Sequence, residues 1–298
     1  MNTSRTYRTD LIALIVSIVS IAASAPIIVA FTGPALAIAF WRNLIGAVVT
    51  APLLFRHRAT LTTLPRTSWI SMLGAGVCLG IHFATWIPSL RYTSIAASTA
   101  LVASQVVWAA LIAFAAGHRA PRQEWIGIAI ALTGIAVLTG IDVSLEPRAL
   151  FGDLLAVVGA MSAAAYVAIG QRARATLPLS TYTTVVYAVA AGCLFLLCAV
   201  TNTRLWGFET RDWWLIIAIT VFAQFGGHTL MNLALRSFSA TAVSLAILLE
   251  VPGATLLGWV WPGQTPPWQL LPAAVLVLGG LVLVLRTSRT HVRTNPAV

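Results

Sequence analysis

The sequence predicts an all-α membrane protein with ten transmembrane helices, arranged as two inverted five-helix repeats. Hydrophobic residues make up 59% of the 298 residues and charged residues only 9%, whereas a soluble domain usually carries about 25% charged residues. Apolar runs follow one another with only short polar breaks between them. Little of the chain is therefore left to form an aqueous domain.

The ten expected helices come from ten apolar stretches that approach the length of a membrane span, about 20 residues. In chain order they cover residues 11–29, 34–55, 69–90, 95–116, 125–141, 154–170, 181–200, 213–235, 241–261 and 270–285. The first stretch follows Arg5 and Arg8 and contains Ala23-Ser24-Ala25, as a secretory signal peptide would. Pro26 directly after that site argues against cleavage, so we expect a permanent span.

The orientation is predicted from the arginines, because short cytoplasmic loops retain basic residues. With the N-terminus inside, one side of the membrane collects Arg5, Arg8, Arg56, Arg58, Arg66, Arg119, Arg122, Arg172, Arg174, Arg236, Arg286, Arg289 and Arg293. The other side collects only Arg91, Arg148, Arg204 and Arg211. We therefore expect a bacterial inner-membrane protein with both termini in the cytoplasm. The net charge of +10 does not indicate nucleic-acid binding, because the arginines lie between apolar runs and not together on one polar face.

Two halves of the chain are related in sequence. Asp10-Leu11 opens the first stretch and Asp153-Leu154 the sixth, and a longer segment aligns without gaps: Leu90, Arg91, Ser94, Gln105 and Ala109 with Leu235, Arg236, Ser239, Glu250 and Ala254. A unit with an odd number of spans makes its second copy enter the membrane from the opposite side, which gives inverted repeats. We expect a first repeat in residues 1–141, a short external linker in 142–150, a second repeat in 151–286 and a basic cytoplasmic tail in 287–298.

Polar side chains inside the apolar stretches are the candidate functional residues, since polar groups are costly in hydrocarbon. Two stripes lie on single helical faces in corresponding stretches: Cys78, His82 and Trp86 in the third, and Gln224, His228 and Asn232 in the eighth. These stripes predict a polar cavity between the two halves. The alternative is that each histidine bonds a neighbouring helix.

Glu250 in the ninth stretch has the neutral Gln105 as its counterpart in the repeat, and Arg42 is the one cation deep in an expected helix. A carboxylate alone in hydrocarbon is either protonated or very costly. Three interpretations stay open: Arg42 and Glu250 pair across the bundle, Glu250 takes up and releases a proton, or both groups serve polar packing.

Helix-weakening residues accompany these polar groups. Pro252 removes a backbone donor, and Gly226-Gly227 loosens the eighth stretch just before His228. Local unwinding there would expose backbone groups to a ligand. The alternative for the glycine pair is close helix packing, which we also expect for Gly76 and Gly80.

Enzymatic motifs of the HExxH, GxSxG and Walker types do not occur in the sequence. A metal site would have to draw on His82, His228, Cys78 and Glu250, and nothing in the sequence indicates that these converge. We expect no catalytic residues, no metal and no cofactor.

From Asp10 to Leu285 the chain resembles the EamA family of the drug/metabolite transporter superfamily. The resemblance rests on residues 40–43 (Phe-Trp-Arg-Asn), 89–98 (Ser-Leu-Arg-Tyr-Thr-Ser-Ile-Ala-Ala-Ser), 234–236 (Ala-Leu-Arg) and 249–254 (Leu-Glu-Val-Pro-Gly-Ala). The family usually has proline directly after this glutamate. Here the proline is displaced by one residue, and Gln105-Val106-Val107 lacks the proline often found in the first half, so the helix kinks differ from the family pattern.

The resemblance implies a secondary-active transporter that exports small metabolites, such as amino acids or drug-like compounds, without ATP hydrolysis. Inverted repeats indicate alternating access, and proton coupling remains an alternative. A passive facilitator or channel and, further off, an intramembrane enzyme are the competing classes. The expected partners are a small-molecule substrate and the lipid bilayer, not nucleic acid. The candidate substrate-binding or coupling residues are Arg42, His82, Trp86, Gln105, Gln224, His228, Asn232 and Glu250.

Overall fold

The structure, a computed structural model, describes residues 3–55, 62–93, 95–118, 120–139, 146–260 and 268–294, and all regular structure in them is helical. The helices are α1 (Thr3–Ala22), α2 (Ser24–Ala30), α3 (Ala35–Phe55), α4 (Arg66–Ser89), α5 (Ile95–Ala103), α6 (Gln105–Ala115), α7 (Arg122–Thr139), α8 (Pro147–Arg174), α9 (Leu179–Val200), α10 (Thr210–Ile219), a π-helix (Thr220–Thr229), α11 (Leu230–Ala234), α12 (Ala240–Ile247), α13 (Glu250–Val260) and α14 (Leu270–Thr294).

Helices occupy each of the ten expected stretches, which we number as segments. They are segment 1 (α1–α2), 2 (α3), 3 (α4), 4 (α5–α6), 5 (α7), 6 (α8), 7 (α9), 8 (α10, the π-helix and α11), 9 (α12–α13) and 10 (α14). Within the described ranges, seven of them are long and apolar enough to cross a membrane, namely segments 1–4 and 6–8. Segments 9 and 10 contain shorter apolar helices, and α7 opens with three hydrophilic residues, Arg122-Gln123-Glu124. A multi-pass membrane fold is confirmed, and the number ten remains a prediction.

Helix α8 is longer than expected at both ends. It begins at Pro147, and therefore takes up the last part of the expected linker, because proline in the first helical turn loses no hydrogen bond. Residues 142–145 of that linker lie outside the described residues. At the other end α8 passes Gly170 and continues to Arg174, which is buried and donates from Nε to the Asn232 carbonyl at 3.0 Å. Arg174, expected in a polar loop, thus belongs to a helix end.

Segments 4 and 9 are broken at equivalent positions. Ser104 separates α5 from α6, and Leu248 and Leu249 separate α12 from α13, so that the repeat counterparts Gln105 and Glu250 each begin a helix. In segment 9 the break follows from Pro252. In a continuous helix the Leu248 carbonyl would accept a hydrogen bond from the N–H of residue 252, and proline has no N–H. Segment 4 breaks without a proline.

The two halves pack as two-fold-related units. Segment 3 packs on segment 6, and segment 8 packs on segment 1, which is the same contact with the halves exchanged. Segments 2 and 5 each pack on their own counterparts, segments 7 and 10. The seam between segments 5 and 10 is tight: a Cβ on Gly127 would lie 2.8 Å from the Gly280 carbonyl oxygen, and one on Gly134 would lie 2.8 Å from the Ala273 carbonyl oxygen. The core therefore lies between the halves.

Candidate functional site

Arg42 lies at the centre of a buried polar cluster between the halves. Its side chain is 1% exposed on α3. Nε donates to Oε1 of Gln224 at 2.9 Å, and the guanidinium carbon lies 4.3 Å from the centroid of the Phe83 ring. Nη2 is buried and makes no hydrogen bond within the described residues. Guanidinium is a donor-only group, so Arg42 holds an unused donor in the interior.

Gln224 reaches Arg42 from the π-helical part of segment 8. Its Nε2 donates to Oδ1 of Asn43 at 3.1 Å. Its backbone carbonyl accepts from the hydroxyl of Thr229 at 3.0 Å, and that hydroxyl lies 2.8 Å from the hydroxyl of Tyr187. A π-helix is wider than an α-helix and often marks a functional site. In the π-helix of segment 8, the side chain of Gln224 bonds Arg42 and Asn43, and its backbone carbonyl bonds Thr229.

The two predicted histidines have different surroundings. Nδ1 of His82 lies 3.0 Å from the Gly159 carbonyl oxygen on α8, and its ring stacks on Trp86 with centroids 5.5 Å apart. His82 thus bonds a neighbouring helix, as the alternative interpretation expected. The ring of His228 packs against Phe83 with centroids 5.3 Å apart, and its buried Nδ1 makes no hydrogen bond in the described part of the chain. His228 keeps a free polar atom.

Asn232 joins the cluster to segment 6. Its Nδ2 donates to the hydroxyl of Tyr166 and to the His228 carbonyl at 2.7 Å. Its Oδ1 is buried and unsatisfied within the described residues, as is Nε1 of Trp86. Tyr166 and Tyr187 were not predicted as site residues. Both are tyrosines well inside apolar stretches, a position that calls for a hydroxyl partner, so the sequence did carry a signal.

Glu250 begins α13 and contacts the first half of the chain. The hydroxyl of Ser24 donates to its Oε1 at 3.1 Å, from the residue directly after the break between α1 and α2. Arg42 and Glu250, both within the described residues, form no ion pair within 4.0 Å in this conformation, although they lie within electrostatic reach of each other. The direct pair is thus not made here.

The remaining predicted positions are less closely connected. Gln105 is buried at the start of α6, and within the described ranges no hydrogen bond joins its side chain to the other candidates. Cys78 is half-buried on the same helix as His82. The structure therefore brings together Arg42, Gln224, His228 and Asn232, with His82 and Trp86 beside them.

The glycines pack closely, as expected. A Cβ on Gly76 would lie 2.6 Å from Cβ of Val189, and one on Gly80 would lie 3.1 Å from Cβ of Cys193. In segment 8 a Cβ on Gly226 would lie 2.6 Å from Oγ of Ser20, and a Cβ on Gly227 would lie closer still to the side chain of Ile21. The glycine pair lies in the π-helix. Close packing is confirmed at all four positions, and the backbone at the pair is widened and not unwound.

Apolar helices, two related halves and a buried polar cluster between them define a multi-pass membrane protein of the transporter class. The sequence profile of the EamA-like transporter family matches residues 9–140 and again residues 150–286. These two matches cover most of the chain, which therefore belongs to the EamA-like transporter family. The predicted resemblance is confirmed.

Comparison with solved structures agrees with this fold. A crystal structure with 17% sequence identity has a TM-score of 0.77, and the match covers 96% of this chain and 98% of the other. At that identity the similarity shows the fold alone. A search of curated protein sequences gives no match.

Proposed function

We propose that this protein is a secondary-active exporter of small metabolites, such as amino acids or drug-like compounds, that works by alternating access of its two halves. Its family is one of membrane transporters of the drug/metabolite type. The observation that carries the proposal is the unsatisfied polar cluster between the halves: Nη2 of Arg42, Nε1 of Trp86, Nδ1 of His228 and Oδ1 of Asn232. Buried polar atoms are normally hydrogen-bonded, so these four are suited to a polar ligand.

Two charged residues, Arg42 in the cluster and Glu250 outside it, support a zwitterionic substrate. Arg42 offers a donor to an anionic group, and Glu250, whose one hydrogen bond among the described residues comes from Ser24, offers an acceptor to an ammonium group. With no lysine in the chain and one deep arginine, phosphorylated substrates fit less well. Amino acids and similar metabolites match this pairing of one cation with one anion.

The site suits a carrier better than a channel. A channel requires a continuous polar lining, whereas the polar cluster here packs against the buried ring of Phe83, which contacts both Arg42 and His228. Breaks in segments 1, 4 and 9 supply places where helices can bend. In this proposal Glu250 either contributes to substrate binding alone or also carries a proton.

The test is transport by the purified protein in proteoliposomes, with a panel of radiolabelled amino acids and other metabolites, with and without a pH gradient. We expect saturable uptake and counterflow of at least one zwitterionic compound. Linear, non-saturable flux would indicate a channel, and chemically altered substrate would indicate an enzyme. Uptake of nothing on the panel under any gradient would overturn the proposal.

A further inference from the structure

Two aspartate–arginine pairs are related by the internal repeat. Asp10 and Asp153 occupy equivalent positions in segments 1 and 6, and Arg236 and Arg91 occupy equivalent positions after segments 8 and 3. In an inverted repeat, equivalent positions lie on opposite sides of the membrane. One pair therefore belongs to each end of the bundle, which we call the Asp10 end and the Asp153 end.

At the Asp10 end the pair is formed. Nη2 of Arg236 lies 2.7 Å from Oδ1 of Asp10, and Nε donates to Oδ2 at 3.2 Å. The hydroxyl of Ser237 donates to the same carboxylate, which is fully buried. These contacts with Asp10 raise the pKa of Arg236 above its ordinary value. A two-point, charge-assisted contact of this kind is among the stronger polar interactions, and it fastens segment 1 of the first half to the second half.

At the Asp153 end the same elements meet, but the pair is not formed. A Cβ on Gly152 would lie 2.7 Å from the backbone nitrogen of Thr93, and the rings of Phe151 and Tyr92 are 5.2 Å apart. Oδ1 of Asp153 is nevertheless buried without a hydrogen-bond partner in the described part of the chain. Arg91 instead donates from Nη2 to the Phe31 carbonyl at 3.0 Å, within its own half.

Arg91 contacts a helix end in place of an aspartate. Phe31 directly follows α2, at the end of segment 1, where helix carbonyls lack intrahelical donors. The equivalent place at the Asp10 end is the end of α8, where the Ala173 carbonyl accepts from the amides of Thr176 and Leu177 and Arg174 is buried. The structure thus shows one arginine in each of two kinds of contact: Arg236 in a salt bridge between the halves, and Arg91 on a helix-end carbonyl.

We propose that Asp10–Arg236 and Asp153–Arg91 are two latches of one switch, of which one is closed at a time. Closing Asp153–Arg91 accompanies release of Arg236 from Asp10 and gives the conformation in which the two halves have exchanged their arrangements. The two conformations then contain equivalent sets of contacts, as expected for states close enough in free energy to exchange. This inference rests on the alternating-access part of the proposed function.

Hydrogen–deuterium exchange of the full-length protein in lipid nanodiscs tests the switch without any substrate. In Asp10→Asn we expect faster exchange of the amides of residues 236–238 and, at the opposite end, slower exchange of residues 91–93, because Arg91 now pairs with Asp153. Asp153→Asn should slow exchange at residues 236–238. The expected remote change is about fivefold or more, the lower end of typical coupling between sites.

Two further variants make the result decisive. The double variant Asp10→Asn with Asp153→Asn should lose the remote protection of residues 91–93, because no carboxylate is left for Arg91. Glu209→Gln, at an exposed carboxyl just before α10, should leave both ends unchanged. If Asp10→Asn fails to fold, Asp153→Asn still tests the switch, since Oδ1 of Asp153 makes no hydrogen bond in the described residues.

The switch is overturned if each variant alters exchange only at its own end. Because exchange is measured without substrate, its outcome is separable from that of the transport assay. Coupled exchange in a protein that transports nothing would keep the switch and remove the exporter. Transport without coupled exchange would keep the exporter and remove the switch.

Discussion

Arg42 remains tolerable in the membrane interior because its contacts come from both halves. The amide of Gln224 belongs to the second half, and the ring of Phe83 to the first. A hydrogen bond to a charged group contributes about 1.5–3 kcal/mol, and a desolvated cation–π contact contributes up to about 2 kcal/mol. The residue therefore helps to hold the two halves together through Gln224, and it keeps one donor unused, which the proposed function assigns to a substrate.

Replacing Arg42 separates these two roles. Arg42→Gln leaves Oε1 of Gln224 without its charged donor and should lower the free energy of unfolding by about 1–3 kcal/mol, together with loss of most transport. The measurements are a thermal melt in detergent and uptake in proteoliposomes. Arg204→Gln, at a loop arginine near Phe208, is the matched control. Full transport by Arg42→Gln would contradict a substrate-binding role.

Glu250 offers the sharpest test of coupling. Glu250→Gln keeps an oxygen that can accept from Ser24, so the variant should fold and insert normally. If the carboxylate carries a proton, uptake should fall by about tenfold or more, and its response to a pH gradient should vanish. Glu209→Gln serves as the control. A Glu250→Gln protein that transports normally at every pH would remove the proton-carrier interpretation.

The sequence predicted which residues share the interior but not how they pair. The helical spacing of Gln224, His228 and Asn232 indicated one polar face. In the structure, Gln224 on that face accepts a hydrogen bond from Arg42. The bond from His82 to the Gly159 carbonyl could not be predicted, because a backbone acceptor on another helix leaves no mark in composition. The Ser24–Glu250 contact likewise joins residues 226 positions apart.

At the scale of the helices, small residues set how closely segments approach. The four-residue spacing of Gly76 and Gly80 predicted a tight helix contact, and α4 indeed lies against α9 at these two glycines. Helix breaks were only partly predictable. Pro252 accounts for the break in segment 9 through its missing donor, whereas Ser104 interrupts segment 4 with no proline or glycine beside it. No residue beside Ser104 accounts for the break there.

Gly76 gives a direct test of this helix contact. Gly76→Ala would place a methyl group 2.6 Å from Cβ of Val189 and 2.9 Å from the Val186 carbonyl oxygen. The resulting overpacking should cost about 1–3 kcal/mol, seen as a lower melting temperature. Gly74→Ala, on the same helix, meets only the end of Ile169 at 3.8 Å and should be neutral or slightly stabilising. Equal melting temperatures for the two variants would contradict the packing.

For the molecule as a whole, the duplicated organisation was the most predictable property. A few aligned residues, from Asp10 and Asp153 to Ala109 and Ala254, indicated two related units, and the family profile matches each unit separately. The aligned residues did not predict where the backbone differs between the halves. Segment 1 is broken and segment 8 contains a π-helix, whereas their counterparts, segments 6 and 3, are continuous α-helices.

The topology can be tested on the whole chain. A fluorescent protein fused after Val298 should fluoresce, because we expect a cytoplasmic C-terminus. Alkaline phosphatase inserted in the linker at residues 142–145 should be active, because that linker is expected to be external. A dark fusion after Val298, or an inactive phosphatase in the linker, would contradict the orientation inferred from the thirteen-to-four distribution of arginines.

The glycine seam between segments 5 and 10 has a mechanical consequence. Gly127 and Gly280 touch backbone to backbone, and the contact of Gly134 with Ala273 repeats this with the halves exchanged. The helices of segments 5 and 10 are therefore in contact at both ends of the seam, so that sliding or separating them along this line would lose packing. A rotation about that line keeps the contact. We therefore expect the proposed movement of the halves to be a rotation about this seam, which would open the bundle more at greater distances from it.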